Sequence, residues 1–162
     1  MNNTQNMMTE TLTDFVATQD ARNSIQLNVR KWTLMLCDAL LKNYIDYSIK
    51  SHQRYVKEYG NIQNVDIVKY DYHQTCIEDL KNGQCGYKFY IESGRKYHKV
   101  IMETNAGSRS VHAFVDKKTG EVYKPVSFKA PAKIVRYRLL EIASREQCFA
   151  RADWAGSYLY VR

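Results

Sequence analysis

Proline is nearly missing from this chain, with 2 residues in 162, and glycine is sparse at 7. Neither occurs between Met1 and Tyr59. These are the two residues that interrupt a helix most strongly, so nothing local breaks that stretch. Long apolar runs are lacking too. No segment approaches the roughly 20 residues that a membrane span needs, so no membrane partner is expected. Met1 to Glu10 is polar and lacks the apolar core of a secretory signal. The 4 cysteines, Cys37, Cys76, Cys85 and Cys148, contain no C-x-x-C pair. Such scatter suits neither a zinc site nor a disulfide framework, and reduced thiols in a cytoplasm are expected. Phenylalanine is scarce at 5 beside 13 tyrosines. A tyrosine hydroxyl wants a partner or water, which places many of these rings at the core edge or on a binding face.

Catalytic patterns are missing as well. His52, His73, His98 and His112 have no second ligand at metal-binding spacing, and H-E-x-x-H and H-x-E do not occur,. There is no G-x-S-x-G elbow and no Walker loop,. His98 and His112 fall on successive expected strands, where half-packed strand histidines are the simplest reading. No catalytic residue, metal or cofactor is assigned, and a non-enzymatic role is expected.

What is present is positive charge in one place. Residues 86–140 hold 12 Lys and Arg against 4 Asp and Glu, while the rest of the chain holds 12 against 13. The net charge of +7 therefore belongs to a single segment, and such clustering points to an anionic partner, nucleic acid first.

One domain is expected over 1–162, with a frayed tail at 1–8, helices over 9–60, and a sheet with a C-terminal helix over 86–162. Thr9 or Thr11 can cap a short helix bearing Leu12, Phe15 and Val16. Ile25, Val29, Trp32, Leu36, Leu40 and Tyr44 recur at steps of three and four, which predicts an amphipathic helix over about 20–51, with Asn28 and Asn43 as places for a break. A helix this long can also pair with a copy of itself. Asn61 to Tyr72 reads as a strand or extended connection, and Thr75 to Lys81 as a helical turn or two.

Alternation then predicts strands over 86–92, 95–104, 108–115 and 122–126, joined by the turns at Ser93-Gly94, Asn105-Ala106-Gly107 and Asp116 to Glu121. Short loops make these an antiparallel meander. Pro131 suits the first position of a helix, whose buried stripe would be Val135, Leu139, Ile142 and Ala143. Ser144 to Gln147 has the form of a capping box for a second short helix. Gly156 would end it, and Tyr158 to Val161 would add an edge strand. The fold class is α+β.

The candidate site is Arg109, Lys117, Lys118, Lys124, Lys129, Lys133, Arg136 and Arg138, interleaved with Tyr123 and Phe128. Rings that stack bases beside cations that take phosphates are the ingredients of single-strand binding. Lys133 and Arg136 stand at helical i, i+3 spacing, with Lys129 just before the expected helix start.

Ser110-Val-His-Ala-Phe-Val-Asp-Lys-Lys-Thr-Gly-Glu-Val-Tyr-Lys-Pro125, with Lys129-Ala-Pro-Ala-Lys133, Val135-Arg-Tyr137 and Asp153-Trp-Ala-Gly-Ser-Tyr-Leu-Tyr160, resembles small uncharacterised proteins of tailed bacteriophages. The resemblance covers about residues 86–162. It implies a phage product acting in a bacterial cytoplasm or carried in the virion, and it brings no catalytic residues. Nucleic acid is the expected partner. A host protein contacted through the tyrosine-rich surface, whose inhibitor or modulator this chain would be, is the alternative, and a virion component a further one.

Overall fold

A computed structural model describes residues 11–60 and 66–160. Its first element, α1, is one unbroken helix over Leu12–Tyr59. The two expected helices are thus a single one of 48 residues, about 70 Å long. Thr11 caps it in a full capping box: its hydroxyl accepts from the Asp14 amide at 3.2 Å, and the Asp14 carboxylate receives the Thr11 amide at 3.3 Å,. Neither Asn28 nor Asn43 interrupts it. The Asn43 side-chain Oδ1 instead accepts the Trp154 amide at 3.0 Å. Gly60 ends the helix, in right-handed geometry.

The expected strand near residue 66 is a helix. Asp66 caps α2, Ile67–Lys81, accepting the amides of Val68 and Lys69 at 3.1 and 3.3 Å. That cap outweighs the short alternation of Ile67 and Val68, which is too brief to separate strand from helix. The rest of that expected strand, 61–65, lies outside the described residues. α2 lies against α1 and buries Ile77 and Leu80.

The meander is as expected, with small changes at its ends: β1 Lys88–Ser93, β2 Tyr97–Glu103, β3 Arg109–Asp116 and β4 Glu121–Pro125. A fifth strand, β5 Pro131–Arg138, completes an antiparallel sheet in sequence order. It stands where a helix was expected. Ile134, Val135 and Tyr137 favour extended backbone, and proline is tolerated at the first position of an edge strand as well as of a helix. The β4–β5 register is irregular at two places. Helix α3 starts later, at Ile142–Arg151. Ile142 and Ala143 are exposed, and the buried side chain of α3 is Cys148. Ser144 is no cap, since its hydroxyl accepts the Arg138 amide at 2.8 Å and ties α3 to the end of β5. After Gly156, with φ +85°, Ser157–Leu159 form a 3-10 turn where the expected strand would begin; its last residue, Val161, lies outside the described residues.

α1 and α3 cover one face of the sheet. Val29, Leu36, Cys37 and Leu40 of α1 meet Val100, Ala113, Val115 and Val122 of the sheet, with Tyr137, Leu139, Cys148, Ala152 and Leu159 closing the core. Each large aliphatic side chain removed from water here contributes about 1.5–3 kcal/mol. Trp32 meets Phe149 at 6.5 Å between ring centroids, which locks α1 to α3. No helix among the described residues is long and apolar enough to cross a membrane.

Candidate nucleic-acid interface

The opposite face of the sheet carries no helix among the described residues. Its centre is aromatic. In register, Lys99 of β2 faces Phe114 of β3, which faces Tyr123 of β4. Tyr97 meets Phe114 and Tyr123 edge-on, at 5.6 and 6.2 Å. The Lys99 ammonium lies between two rings, 5.8 Å from Phe114 and 4.7 Å from Phe128. Phe128 belongs to the β4–β5 turn, closed by hydrogen bonds from the Val126 and Ser127 amides to the Ala130 carbonyl. Cations at such distances from ring faces gain about 0.5–1 kcal/mol where exposed. Phe114 is buried, whereas Phe128 remains 44% exposed and so has a ring surface to offer.

The eight cations read from the sequence do not form one surface. Arg109 is bound within the protein. Its Nε donates to the Tyr90 hydroxyl at 2.9 Å, its Nη2 pairs with Glu92, and Tyr90 in turn donates to Glu103. Arg138 pairs with Glu121 at 2.7 Å and lies 3.9 Å from Glu141. Tyr123 donates to the other oxygen of Glu121 at 2.5 Å, and burial, followed by that carboxylate, pushes its hydroxyl up to about 12. Arg136 leaves the group altogether. It donates to the carbonyls of Leu159 and Ile134 and lines a groove of about 670 Å³ between β5 and α3, with Arg151, Tyr158 and Tyr160. Lys124 lies 3.9 Å over the Tyr160 ring.

Lys117, Lys118, Lys129 and Lys133 remain without a carboxylate within 4 Å among the described residues. They occupy opposite ends of the sheet, the first pair at the β3–β4 turn and the second at the β4–β5 turn and the start of β5. Lys133 and Arg136 are strand residues, so their helical spacing and its electrostatic consequence do not apply. The residue that the sequence reading missed on this face is Lys99. Its strand was legible, but its position between Phe114 and Phe128 depends on cross-strand register and on the course of a turn.

No group of three or more His, Cys, Asp and Glu side chains placed to hold a metal ion occurs among the described residues. His98 pairs across the ladder with Val115 and hydrogen-bonds the Ser93 hydroxyl through Nδ1 at 2.7 Å. His112 is the extra residue where the β2–β3 register shifts, since Val100 faces Ala113 and Ile101 faces Val111,. Its Nε2 meets the Tyr158 hydroxyl at 2.8 Å, with the rings stacked. Burial lowers both imidazoles to about 4, and at His98 the charges of Lys117 and Arg30 add to the effect. Both are neutral at pH 7. Burial pushes the Cys37 and Cys148 thiols up to about 12, leaving them inert,.

No curated protein and no solved structure matches the chain. The model of a family of unknown function, DUF7717, matches residues 12–161, and the chain belongs to that family.

Proposed function

We propose that this is a non-enzymatic bacteriophage accessory protein that binds single-stranded nucleic acid through the uncovered face of its sheet. The observation that carries the reading is Lys99 between Phe114 and the exposed ring of Phe128, on a face where Tyr97 and Tyr123 extend the aromatic surface. Stacking on such rings is worth about 1–3 kcal/mol per base, and it tolerates any sequence. Lys129 beside Phe128 supplies unpaired charge for a phosphate at one end of that face, whereas Lys117 and Lys118 line cavities on the helix side of the sheet. Arg109 and Arg138 contribute less, because Glu92 and Glu121 already neutralise them. The phage origin rests on the resemblance of residues 86–162, and the place of action is then the bacterial cytoplasm. Binding of a fluorescent mixed-sequence oligonucleotide, followed by anisotropy at several salt concentrations, tests the reading. Phe128→Ala combined with Lys99→Ala should weaken binding about ten-fold or more. Unchanged affinity in that variant ends it.

A protein partner is the second reading, and α1 favours it. Leu12, Phe15, Val16 and Leu27 are exposed on its N-terminal arm, an apolar content that a host protein or a second copy of the helix can cover. Chromatography with light scattering separates the two, since self-pairing doubles the mass without any host factor.

A further inference from the structure

α1 meets the sheet through Val29, Thr33, Leu36, Cys37 and Leu40. Toward its N-terminus that side of the helix continues as Gln19, Arg22, Asn23 and Gln26, with Arg30 next to Val29,. Aliphatic side chains give way to amides and guanidiniums, with no acid among them. These residues line two adjoining cavities against the turns at the end of the sheet. One, of about 430 Å³, is lined by Arg30, Lys117, His98 and Ser93 together with Asn23 and Gln26. The other, of about 520 Å³, is lined by Arg22 and Lys118, and again by Asn23 and Gln26. Among the described residues no carboxylate lines either cavity, and none approaches the four cations within 4 Å. Asp116, the acid of the same turn, is buried and occupied by the amides of Lys118 and Thr119, at 2.8 and 3.1 Å.

We propose that this cleft binds a ligand carrying adjacent phosphate groups, one held by Arg30 and Lys117 and the next by Arg22 and Lys118. Four like charges around two cavities repel one another, and an anion between them removes that cost. A guanidinium fork matches two phosphate oxygens, and a lysine adds a mobile third donor. Asn23 and Gln26, common to both cavities, can donate amide hydrogens to the bridging region. Arg22 and Arg30 are about 12 Å apart along the helix axis, so their side chains can converge on a polyphosphate from its two ends or follow successive phosphates of a strand. The cleft lies on the helix side of the sheet, and its residues are separate from Lys99 and Phe128. It therefore stands or falls independently of the sheet face.

His98 makes the test specific. It lies at the cleft with Nδ1 held by Ser93 and with Arg30 and Lys117 close enough to disfavour its cation. An anion seated there should raise its pKa, while His112, which lines neither cavity, should not respond,. Imidazole resonances of the full chain would be followed by NMR during titration with inorganic tripolyphosphate and, separately, with a short single-stranded oligonucleotide. We expect His98 to shift and titrate at higher pH, and Arg30→Ala and Lys117→Ala each to weaken the response about ten-fold. Arg22→Ala and Lys118→Ala alter exposed side chains and leave the core untouched, so loss of affinity in these variants cannot be ascribed to unfolding. Tighter binding of tripolyphosphate identifies a free polyphosphate as the ligand, and tighter binding of the oligonucleotide identifies a strand. If the Lys99→Ala, Phe128→Ala chain keeps oligonucleotide binding and the cleft variants lose it, the cleft holds and the sheet face does not. A silent His98 with both ligands, or cleft variants that bind like the parent, overturns the proposal.

Discussion

Lowering the pH from 7 to 5 should remove about 3–4 kcal/mol of folding stability, mostly through two histidines. His112 is 8% exposed and His98 4% exposed, and both are held near pKa 4 against 6.5 in the unfolded chain. Because the folded values lie below the unfolded one, the unfolded chain takes up more protons as the pH falls. The contribution is thus fully present above pH 6.5 and is lost between there and about pH 4. For one such group the loss by pH 5 is about 2 kcal/mol. His112 should reach that figure. His98 should give less, because the cavity it lines opens to solvent,. His52, whose pKa is lowered by burial and by His73, adds loss of the same sign. Against a total stability of roughly 5–15 kcal/mol, a loss of this size is easily measured. Urea unfolding at constant ionic strength, read by the fluorescence of Trp32 and Trp154, gives the difference directly. The decisive control is His112→Phe together with Tyr158→Phe, which removes the titrating ring without leaving the buried hydroxyl unpaired. Its loss between pH 7 and 5 should shrink by about half. A parent that loses less than about 1 kcal/mol, or a control with the parent's full pH dependence, would refute the assignment of acid sensitivity to these buried rings.

Other expectations concern the frame. Leu36→Ala, at a side chain with no exposure, should destabilise by about 2–5 kcal/mol in the same urea assay,. Gly120→Ala should lower the melting temperature, at a cost of about 1–2 kcal/mol, since φ is +70° and a Cβ there would stand 3.2 Å from Leu140 Cγ,. Thr11→Ala removes the capping box of an arm whose side chains 11–28 are exposed apart from Gln19. Amide exchange should quicken in the first turns of α1, while the global unfolding midpoint stays in place.

The meander was legible because its signals are local: alternation in GYKFYIE, the short turns that separate the strands, and a glycine at Gly120 where left-handed backbone is needed. The α+β class followed from it. α1 was legible in kind but not in length, since the absence of Pro and Gly permits continuity without requiring it. β5 was misread because proline opens helices and edge strands alike, and what decides between them here is the remote ladder of Glu121 with Arg138 and Val122 with Tyr137. The candidate cations suffered from the same blindness. Nothing local to Arg109 announces Glu92, and nothing local to Lys117 announces Arg30. Composition placed the excess charge in the right half of the chain, but register and helix packing determine which of those charges stay free.

A five-stranded sheet in the order β1 to β5 has two edge strands, β1 and β5, and each could recruit a strand from another molecule,. β5 is poorly suited to that exchange. Pro131 has no amide hydrogen to give, its ladder with β4 loses step twice, and Lys133 is exposed along it,. β1 is only six residues long, begins at the exposed Lys88, and has α1 packed beside it. Lys133, a binding candidate in the sequence, and Pro131, expected there to open a helix, therefore act as guards against edge-to-edge aggregation. Removing them, as in Pro131→Val with Lys133→Val, should turn a well-behaved protein into one that forms β-rich aggregates on concentration, detectable by thioflavin fluorescence, with little change in the native fold.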